Sequence, residues 1–567
     1  MSKRAAIGIQ DFETIITNNY FYIDKTRFIK EWWENGDSVT LITRPRRFGK
    51  TINMSMLECF FSTDYQNRTD LFDKLDIWKE GGYPELQGTY PVINLSFANV
   101  KGKNYKTIQI ELTQIIKNLY SEHQFLLENN KICEVDRDFF HAICKNPLEA
   151  ELSMAIHQLS KMMYQYYGKK ILIFLDEYDT PLLEAFENGY WDELASFTRS
   201  LFNSTFKTNP YMDRGIMTGI TRISKESIFS DLNNLEVITT TSEKYADSFG
   251  FTEKEVFDAL EQYGLSNQKA KVKEWYDGFN FGKCTDIYNP WSILNFLDKK
   301  KLRAYWANTS SGKLIDTLIR TASSDIKIAF EELLHNHTVT YSLDEQLIYK
   351  QLQRNEEAIW SLLVASGYLK IVNSEENTDV NDDKPICELA LTNHEVQIMF
   401  NTMIKDWFSE AKQPYNHFIK AMLQDDLEAM NRYMNHVSLQ IFSYFDTGKG
   451  VLGSEPERFY HGFVLGLIAE LSNEYIITSN RESGFGRYDV VIEPKDKNQN
   501  AIILEFKIHN PRKETSLEDT VQLALKQIDE KQYETDLKAK GFADEKIYKY
   551  GFAFEGKKVL VGGREVL

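Results

Sequence analysis

The chain has 567 residues, too many for one hydrophobic core; at roughly 100–200 residues per domain, this length predicts about three to five units. With 42% apolar and 26% charged residues and only 12 Pro and 29 Gly, a disordered, collagenous or linker-dominated protein is excluded. The formal net charge of −17 excludes a uniformly basic nucleic-acid coat, because most of the surface would repel phosphate, and leaves room only for a local basic groove.

Cysteines stand at 59, 133, 144, 284 and 387 without CxxC spacing. This fits neither a disulfide framework nor a structural zinc site and points to a reducing compartment. The opening MSKRAAIGIQDFETIITNN has no apolar run of signal-peptide type, and the longest apolar stretch, near 171–175, falls far short of the ~20 residues a bilayer requires. A soluble, cytoplasmic protein with no membrane partner is expected.

Along the chain, β-branched apolar runs at 38–43 (SVTLIT), 91–97 (PVINLSF), 170–176 (KILIFLD) and 215–220 (GIMTGI) alternate with amphipathic stretches. That pattern predicts buried strands of a parallel α/β sheet. From about 252 to 298 the periodicity turns helical around WYDGFNFG (275–282) and YNPWSILNFL (288–297). Residues 356–372 pass from helix-like EEAIWSLLVASG to strand-like YLKIV; the acidic loop NSEENTDVNDDKP (373–385) and the strand-like ICELALT follow. This is the outline of a winged helix whose wing is too acidic to lie on phosphate. Helical periodicity fills 400–445 and breaks at GKGVLGSEPE (448–457). From Glu457 a compact α/β unit is predicted in the order helix, strand (YIITS), strand (RYDVVIEP), strand (AIILEFKI), helix (TVQLALKQI) and strand (KYGFAFEGKKVLVGG). No internal repeat or low-complexity segment is present.

A phosphate site is predicted after the first strand, where RPRRFGKT (44–51) leads into a helix. A strand, a tight loop and a helix N-terminus gather backbone N–H groups, here from Arg47, Phe48, Gly49, Lys50 and Thr51, around one point suited to a polyphosphate. Gly49 allows close approach, Lys50 reaches the β/γ-phosphates, and the Thr51 hydroxyl serves as a Mg²⁺ ligand. The full pattern GxxxxGK[ST] has Gly where this chain has Arg44, so a basic surface turn is the competing reading. The strand ILIFLDEYD (171–179) weighs against it, because Asp176 at such a strand end holds Mg²⁺ and Glu177 polarises the attacking water. A third strand ends in Thr218, Thr221 and Arg222, with Thr218 placed to sense the γ-phosphate. Arg222 either stabilises transition-state charge or caps a helix or pairs with an acid.

A second site is predicted near the C-terminus. Period-two alternation puts Glu505 and Lys507 on one strand face and Phe506 on the other, with Asp489 meeting them across a hairpin. Two carboxylates and an ammonium beside an apolar core suit metal-assisted phosphodiester hydrolysis, with Lys507 orienting water or the scissile phosphate; an exposed face with a salt bridge is the alternative. Glu457 either adds a third metal carboxylate or closes a capping box with Ser454. His461 reads as a packed core histidine, and Gln527 and Tyr533 as cleft lining or helix surface.

The motifs FYIDKT (21–26), RPRRFGKT, FLDEYDTPL (174–182), GITR, WYDGFNFG, YNPWSIL and YWANTS (305–310) resemble the bacterial AAA-ATPase-like family, in which the first loop Gly is often Arg. The later ERFYHGFVLGL, GRYDVVIEP and LEFKI resemble the PD-(D/E)XK nuclease domain commonly fused to it, with Tyr488 in place of the motif proline. The resemblance implies an α/β multidomain protein. Its parts would be a P-loop NTPase with an additional-strand parallel sheet (1–250), a helical and winged-helix lid (251–400), a helical connector (401–450) and a restriction-endonuclease-like domain (451–567). It implies ATP and Mg²⁺ as cofactors, with Lys50, Thr51, Asp176 and Glu177 serving ATP and Asp489, Glu505 and Lys507 the nuclease centre. The function expected is an ATPase coupled to a Mg²⁺-dependent nuclease acting on DNA or RNA, with oligomeric state open. The rival reading is a STAND-like switch whose C-terminal domain binds nucleic acid or protein without cleaving.

Overall fold

The computed structural model describes residues 3–222, 228–229, 232–306, 313–344, 352, 355–375, 384–409, 412–445, 455–479, 482–483, 486–487 and 489–563. Two compact units are formed. The first comprises Met1–Ser310 and Thr340–Val396; the second comprises Ser311–Val339 and Gln397–Leu567.

Five parallel strands organise the first unit: β1 (Val39–Thr43), β2 (Val92–Ser96), β3 (Ile171–Asp176), β4 (Met212–Gly219) and β5 (Leu235–Ile238), in the spatial order β2-β3-β4-β1-β5. β1 and β3 are buried along their whole length, as expected of central strands covered on both faces. One covering layer packs Trp32, Phe60 and Phe61 against Phe174. Because the strands are parallel, their carboxyl ends share one edge, and Thr43, Asp176 and Gly219 reach it together. Four strands are legible as apolar runs. β5 is not: three of its four residues are only half-buried at the sheet edge, and an edge strand need not be continuously apolar.

Beyond this sheet lie a small antiparallel sheet of β6 (Phe251–Thr252), β7 (Phe279–Phe281) and β8 (Cys284–Tyr288), and the helices Glu253–Gln262, Lys269–Tyr276 and Pro290–Lys299. The segment expected as helix, strand, loop, strand is the helix Ala358–Ala365 with antiparallel β10 (Leu369–Glu375) and β11 (Ile386–Leu391). A further strand, β9 (Val339–Ser342), flanks β11. Most of the acidic loop, 376–383, lies outside the described residues.

In the second unit, the helix Glu455–Leu471 precedes β12 (Tyr475–Ser479), a two-residue hairpin of β13 (Glu482–Ser483) and β14 (Gly486–Arg487), then β15 (Val490–Pro494) and β16 (Ala501–Ile508). The helix Leu517–Lys531 then leads to β17 (Ile547–Glu555) and β18 (Lys558–Gly563). The mixed sheet runs β12-β15-β16-β17-β18, with β16 and β17 parallel and the other neighbours antiparallel. The run 549–563, expected as one strand, is a hairpin: Gly556 takes φ 56° and reverses the chain between Glu555 and Lys558, a turn that Glu-Gly-Lys-Lys permits. Among the described residues, no helix is long and apolar enough to cross a membrane.

Gly278, in the WYDGFNFG motif, has φ 120°, and a Cβ there would lie 2.1 Å from the carbonyl oxygen of Thr392. Gly168 also has positive φ, but nothing lies within 4 Å of its would-be Cβ. Gly278→Ala is therefore expected to cost the first unit at least about 2 kcal/mol, against about 1 kcal/mol for Gly168→Ala. Scanning calorimetry of the two variants checks the ordering.

Candidate functional sites

The loop after β1 is held by its carbonyls. Lys50 Nζ donates to the carbonyl oxygens of Arg44 and Pro45, each at 2.8 Å. Trp306 Nε1 donates to Arg46 O at 2.9 Å, and Asn289 Nδ2 to the same oxygen at 3.3 Å. Gly250 N donates to Phe48 O at 3.1 Å and Asn53 N to Gly49 O at 3.0 Å. In a trans peptide C=O and N–H point opposite ways, so the N–H groups following these carbonyls, at Arg46, Arg47, Gly49 and Lys50, turn to the other side. They are followed by the first turn of the helix Lys50–Phe61, whose leading N–H groups have no partner within the helix. Two left-handed residues make the bend, Arg47 at φ 66° and Gly49 at φ 85°.

The side chains of the loop anchor it. Phe48 is fully buried, edge-on to Phe279 at 4.7 Å and to Phe281 at 5.3 Å, so only its backbone is available to a ligand. Arg47 lies 4.4 Å above the Trp291 ring. Arg44 is also fully buried. Its Nη1 donates to Thr43 O at 2.9 Å and to Thr239 O at 2.5 Å, and its guanidinium lies 4.6 Å over Phe281. Burial pushes its pKa down to about 9. Arg44 therefore replaces a loop glycine without entering the cradle: its side chain turns back against the β5 end.

At the carboxyl edge, Thr51 Oγ1 donates to Asp176 Oδ2 at 2.7 Å, and Thr218 Oγ1 donates to Asp176 Oδ1. Lys50, Thr51, Asp176 and Thr218 are thus brought together at this edge. Burial pulls the Lys50 ammonium below its ordinary value, opposed by the charges of Glu177, Asp176 and Asp179. A hydroxyl and a carboxylate oxygen 2.7 Å apart fit neighbouring ligands of an octahedral Mg²⁺, which at 2.0–2.1 Å metal–oxygen distances stand about 2.9 Å apart. Glu177 sits at φ 51° and accepts from Thr180 Oγ1 at 3.2 Å.

Asp179, in the same quoted motif but given no role from sequence, is buried. Its Oδ2 accepts from Ile220 N at 2.8 Å and from Thr221 N at 3.0 Å, pinning the turn after β4. The signal was present as a second aspartate three residues beyond Asp176. Arg222 stands past that turn, with its side chain in the wall of a cavity.

In the second unit, Glu505 is buried and Lys507 partly so. Phe506 points to the opposite face, stacked on Phe552 at 4.6 Å. Gln527 joins the pair: its Nε2 donates to Glu505 Oε1 and to Tyr533 Oη (2.9 Å), and its Oε1 accepts from Lys507 Nζ at 2.7 Å. Lys507 Nζ lies 3.8 Å from Glu505 Oε1. Asp489 meets β16 from just before β15, its Oδ2 accepting from Phe506 N at 2.7 Å, while Tyr460 Oη donates to its carbonyl at 2.7 Å. Gln527 and the buried Tyr533 therefore belong to the cluster around Glu505.

Burial raises the pKa of both Asp489 and Glu505, and the charge of Asp489 raises Glu505 further. Glu505 Oε2 is buried with no hydrogen-bond partner among the described residues. An orphaned buried carboxylate oxygen beside a second, half-buried carboxylate fits a divalent cation better than it fits a finished core. The Glu457 side chain and Tyr488 lie outside the described residues. His461 is a buried histidine, its pKa lowered to about 4 by burial and by Lys327. Sequence reasoning missed Glu331, also buried, which accepts from Ser479 Oγ at 2.5 Å; as one of two adjacent acids in a helical stretch, Glu331-Glu332, it gave no signal.

Comparison with known proteins agrees with this division. Residues 6–229 match the family described as Predicted AAA-ATPase, and residues 455–563 match the PD-(D/E)XK nuclease superfamily. The chain thus carries an AAA-ATPase-like domain followed by a PD-(D/E)XK superfamily domain. A curated relative from Azotobacter chroococcum mcd 1, described as an uncharacterized protein in the vnfD 5′ region, is 25% identical over 323 residues. The match covers 56% of this chain and 56% of that protein, about half the length of each.

Because Asp489 and Glu505 titrate higher in the folded chain than in the unfolded one, their protonated forms favour folding. That contribution is complete below the ordinary carboxylate range and is lost as pH rises through the raised values. Glu505→Gln, which keeps the shape without the charge, should stabilise the metal-free second unit by about 1–3 kcal/mol near pH 9 and by close to nothing near pH 4. Thermal melts in chelator at the two pH values check this.

Proposed function

We propose that this chain binds and hydrolyses ATP with Mg²⁺ at the loop 44–51, and that its C-terminal unit is a Mg²⁺-dependent phosphodiesterase acting on DNA or RNA. The meeting of Thr51 and Asp176 at 2.7 Å, directly beneath a loop whose carbonyls are turned outward, carries the reading. In it, residues 1–250 form the nucleotide domain, 251–400 its helical and winged-helix lid, 401–450 a connector and 451–567 the nuclease.

The loop N–H groups and the helix N-terminus receive the phosphates, and Lys50 exchanges two loop carbonyls for β/γ oxygens. Asp176 and Thr51 hold the metal, Thr218 fixes the carboxylate that does so, and Glu177 orients water for attack on the γ-phosphorus. In the C-terminal unit Asp489 and Glu505 hold metal, and Lys507, steadied by Gln527, stabilises charge developing on the scissile phosphate. Bound Mg²⁺ supplies neutralisation of phosphate charge and, at the second site, a water of lowered pKa.

A second reading, an ATP-driven switch that binds rather than cuts, is favoured by the hold of Trp306 and Asn289 on the loop. Any nucleotide that shifts Arg46 must also shift them.

ATP with Mg²⁺ at about 100 times its Kd should stabilise the wild-type first unit by about 2.7 kcal/mol, and Lys50→Ala should abolish that gain. No shift in the wild type, or an equal shift in the variant, removes the nucleotide reading. Lys507→Ala and Asp489→Asn should each lower Mg²⁺-dependent cleavage of single- or double-stranded substrates by at least about 10²-fold. Nucleotide binding without cleavage of any nucleic acid would select the switch.

A further inference from the structure

Both donors to the Arg46 carbonyl lead back to one side chain that no step above uses. Glu395 is fully buried, in the first turn of the helix His394–Trp407. Its Oε1 accepts from the backbone N–H of Trp306 at 2.6 Å, and its Oε2 accepts from Ser292 Oγ at 2.8 Å. Trp306 is the residue whose indole Nε1 donates to Arg46 O at 2.9 Å. Ser292 lies in the turn that Asn289 opens: its N–H donates to Asn289 Oδ1 at 3.3 Å, and Asn289 Nδ2 donates to the same Arg46 oxygen, also at 3.3 Å. That turn also carries Trp291, which lies under the Arg47 guanidinium.

The chemistry of the group suits this task. A carboxylate has two acceptor oxygens and no donor, so it takes one N–H and one O–H arriving from two separate segments, and such charge-assisted bonds are among the stronger ones. Its place in the first turn of a helix, where Asn393 Oδ1 accepts from Val396 N at 3.1 Å, favours negative charge. Asn289, Ser292 and Trp306 are themselves buried, so removing the carboxylate withdraws an acceptor from a buried N–H and from a buried hydroxyl, which is costly. The consequence falls on the peptide 46–47. With the Arg46 carbonyl held, planarity fixes the direction of the Arg47 N–H. Arg47 is one of the two left-handed residues of the bend, and rotation of that peptide would redirect its N–H.

We infer that Glu395 is a positioning residue for nucleotide binding at the loop 44–51: it acts through Trp306 and the Asn289 turn, which together set the peptide 46–47 for phosphate. This rests on the nucleotide reading of that loop. When the hold is lost, the aligned loop becomes a minor conformer, and apparent affinity falls in proportion to its population. A carboxylate serving the fold alone would instead lower the melting temperature and leave affinity unchanged wherever the chain is folded.

Calorimetric titration of the full chain with Mg²⁺ and the β,γ-imido analogue of ATP, well below the melting temperature of each variant, tests it. Glu395→Met should weaken binding at least about tenfold, as for an aligned loop populated about a tenth of the time. Glu395→Gln, whose carbonyl can accept from Trp306 N and whose amide can meet the Ser292 hydroxyl, should recover it to within about threefold of wild type. The double variant Glu395→Met with Trp306→Phe should bind no more than about threefold weaker than Glu395→Met alone, because the indole hold is already released. Where Glu395→Met does not fold, Ser292→Ala decides, with an expected loss of at least about threefold. Affinity within about twofold of wild type in Glu395→Met, or in Ser292→Ala, overturns the inference and leaves the ATP reading standing, as does full additivity in the double variant. Absence of binding in the wild type removes the ATP reading itself, and this inference with it.

Discussion

A phosphate cradle made of backbone requires N–H groups to converge without a ligand to force them, and a short loop cannot hold that shape by itself. In this chain the loop 44–51, the proposed cradle, is held from outside. The carbonyls of Arg44, Pro45, Arg46, Phe48 and Gly49 all have donors within the fold, and peptide planarity turns the amide that follows each of them away from that donor. The partners come from three sources: the loop's own lysine, the helix that follows it, and the region 250–306 far along the chain. Phe48 inserted between Phe279 and Phe281, and Arg47 on Trp291, fasten the same loop through side chains. The aromatic motifs at 275–282, 288–297 and 305–310 thus have a common physical task.

This hold also accounts for Arg44. Glycine is needed in a phosphate loop where a side chain would meet the ligand or where φ must be positive. Residue 44 meets neither condition, because Arg47 and Gly49 take the left-handed positions and the Arg44 side chain runs back to Thr239 O and Phe281. A fully buried guanidinium with two carbonyl acceptors and an aromatic face is costly to desolvate, and it fastens the end of β5, an edge strand that is mostly half-buried.

The second unit carries its tension differently. Glu505 is buried with one oxygen bound by Gln527 and the other orphaned, and the half-buried Asp489 adds a second charge to it. A core designed only for stability would not keep this pair. The triangle Glu505–Gln527–Lys507 nonetheless fixes both charged side chains in place, so the arrangement is preorganised as well as strained.

The period-two spacing of Glu505 and Lys507, the Gly-Lys-Thr at a strand-to-helix junction and the Asp176-Glu177 strand end were legible because each depends on neighbours within a few residues. β5, β9 and the 549–563 hairpin were not, since edge strands and short turns leave weak periodicity. By itself the sequence determined two acid-bearing sites, each beside a lysine, and the element types that present them. Only the tertiary structure decided that Trp306 and Asn289 hold the loop 44–51, that Gln527 links the acid to the lysine, and that Ser311–Val339 packs with the C-terminal half. Each of these is a contact between groups well separated along the chain. It exists only once burial has fixed both partners, and no local pattern encodes it.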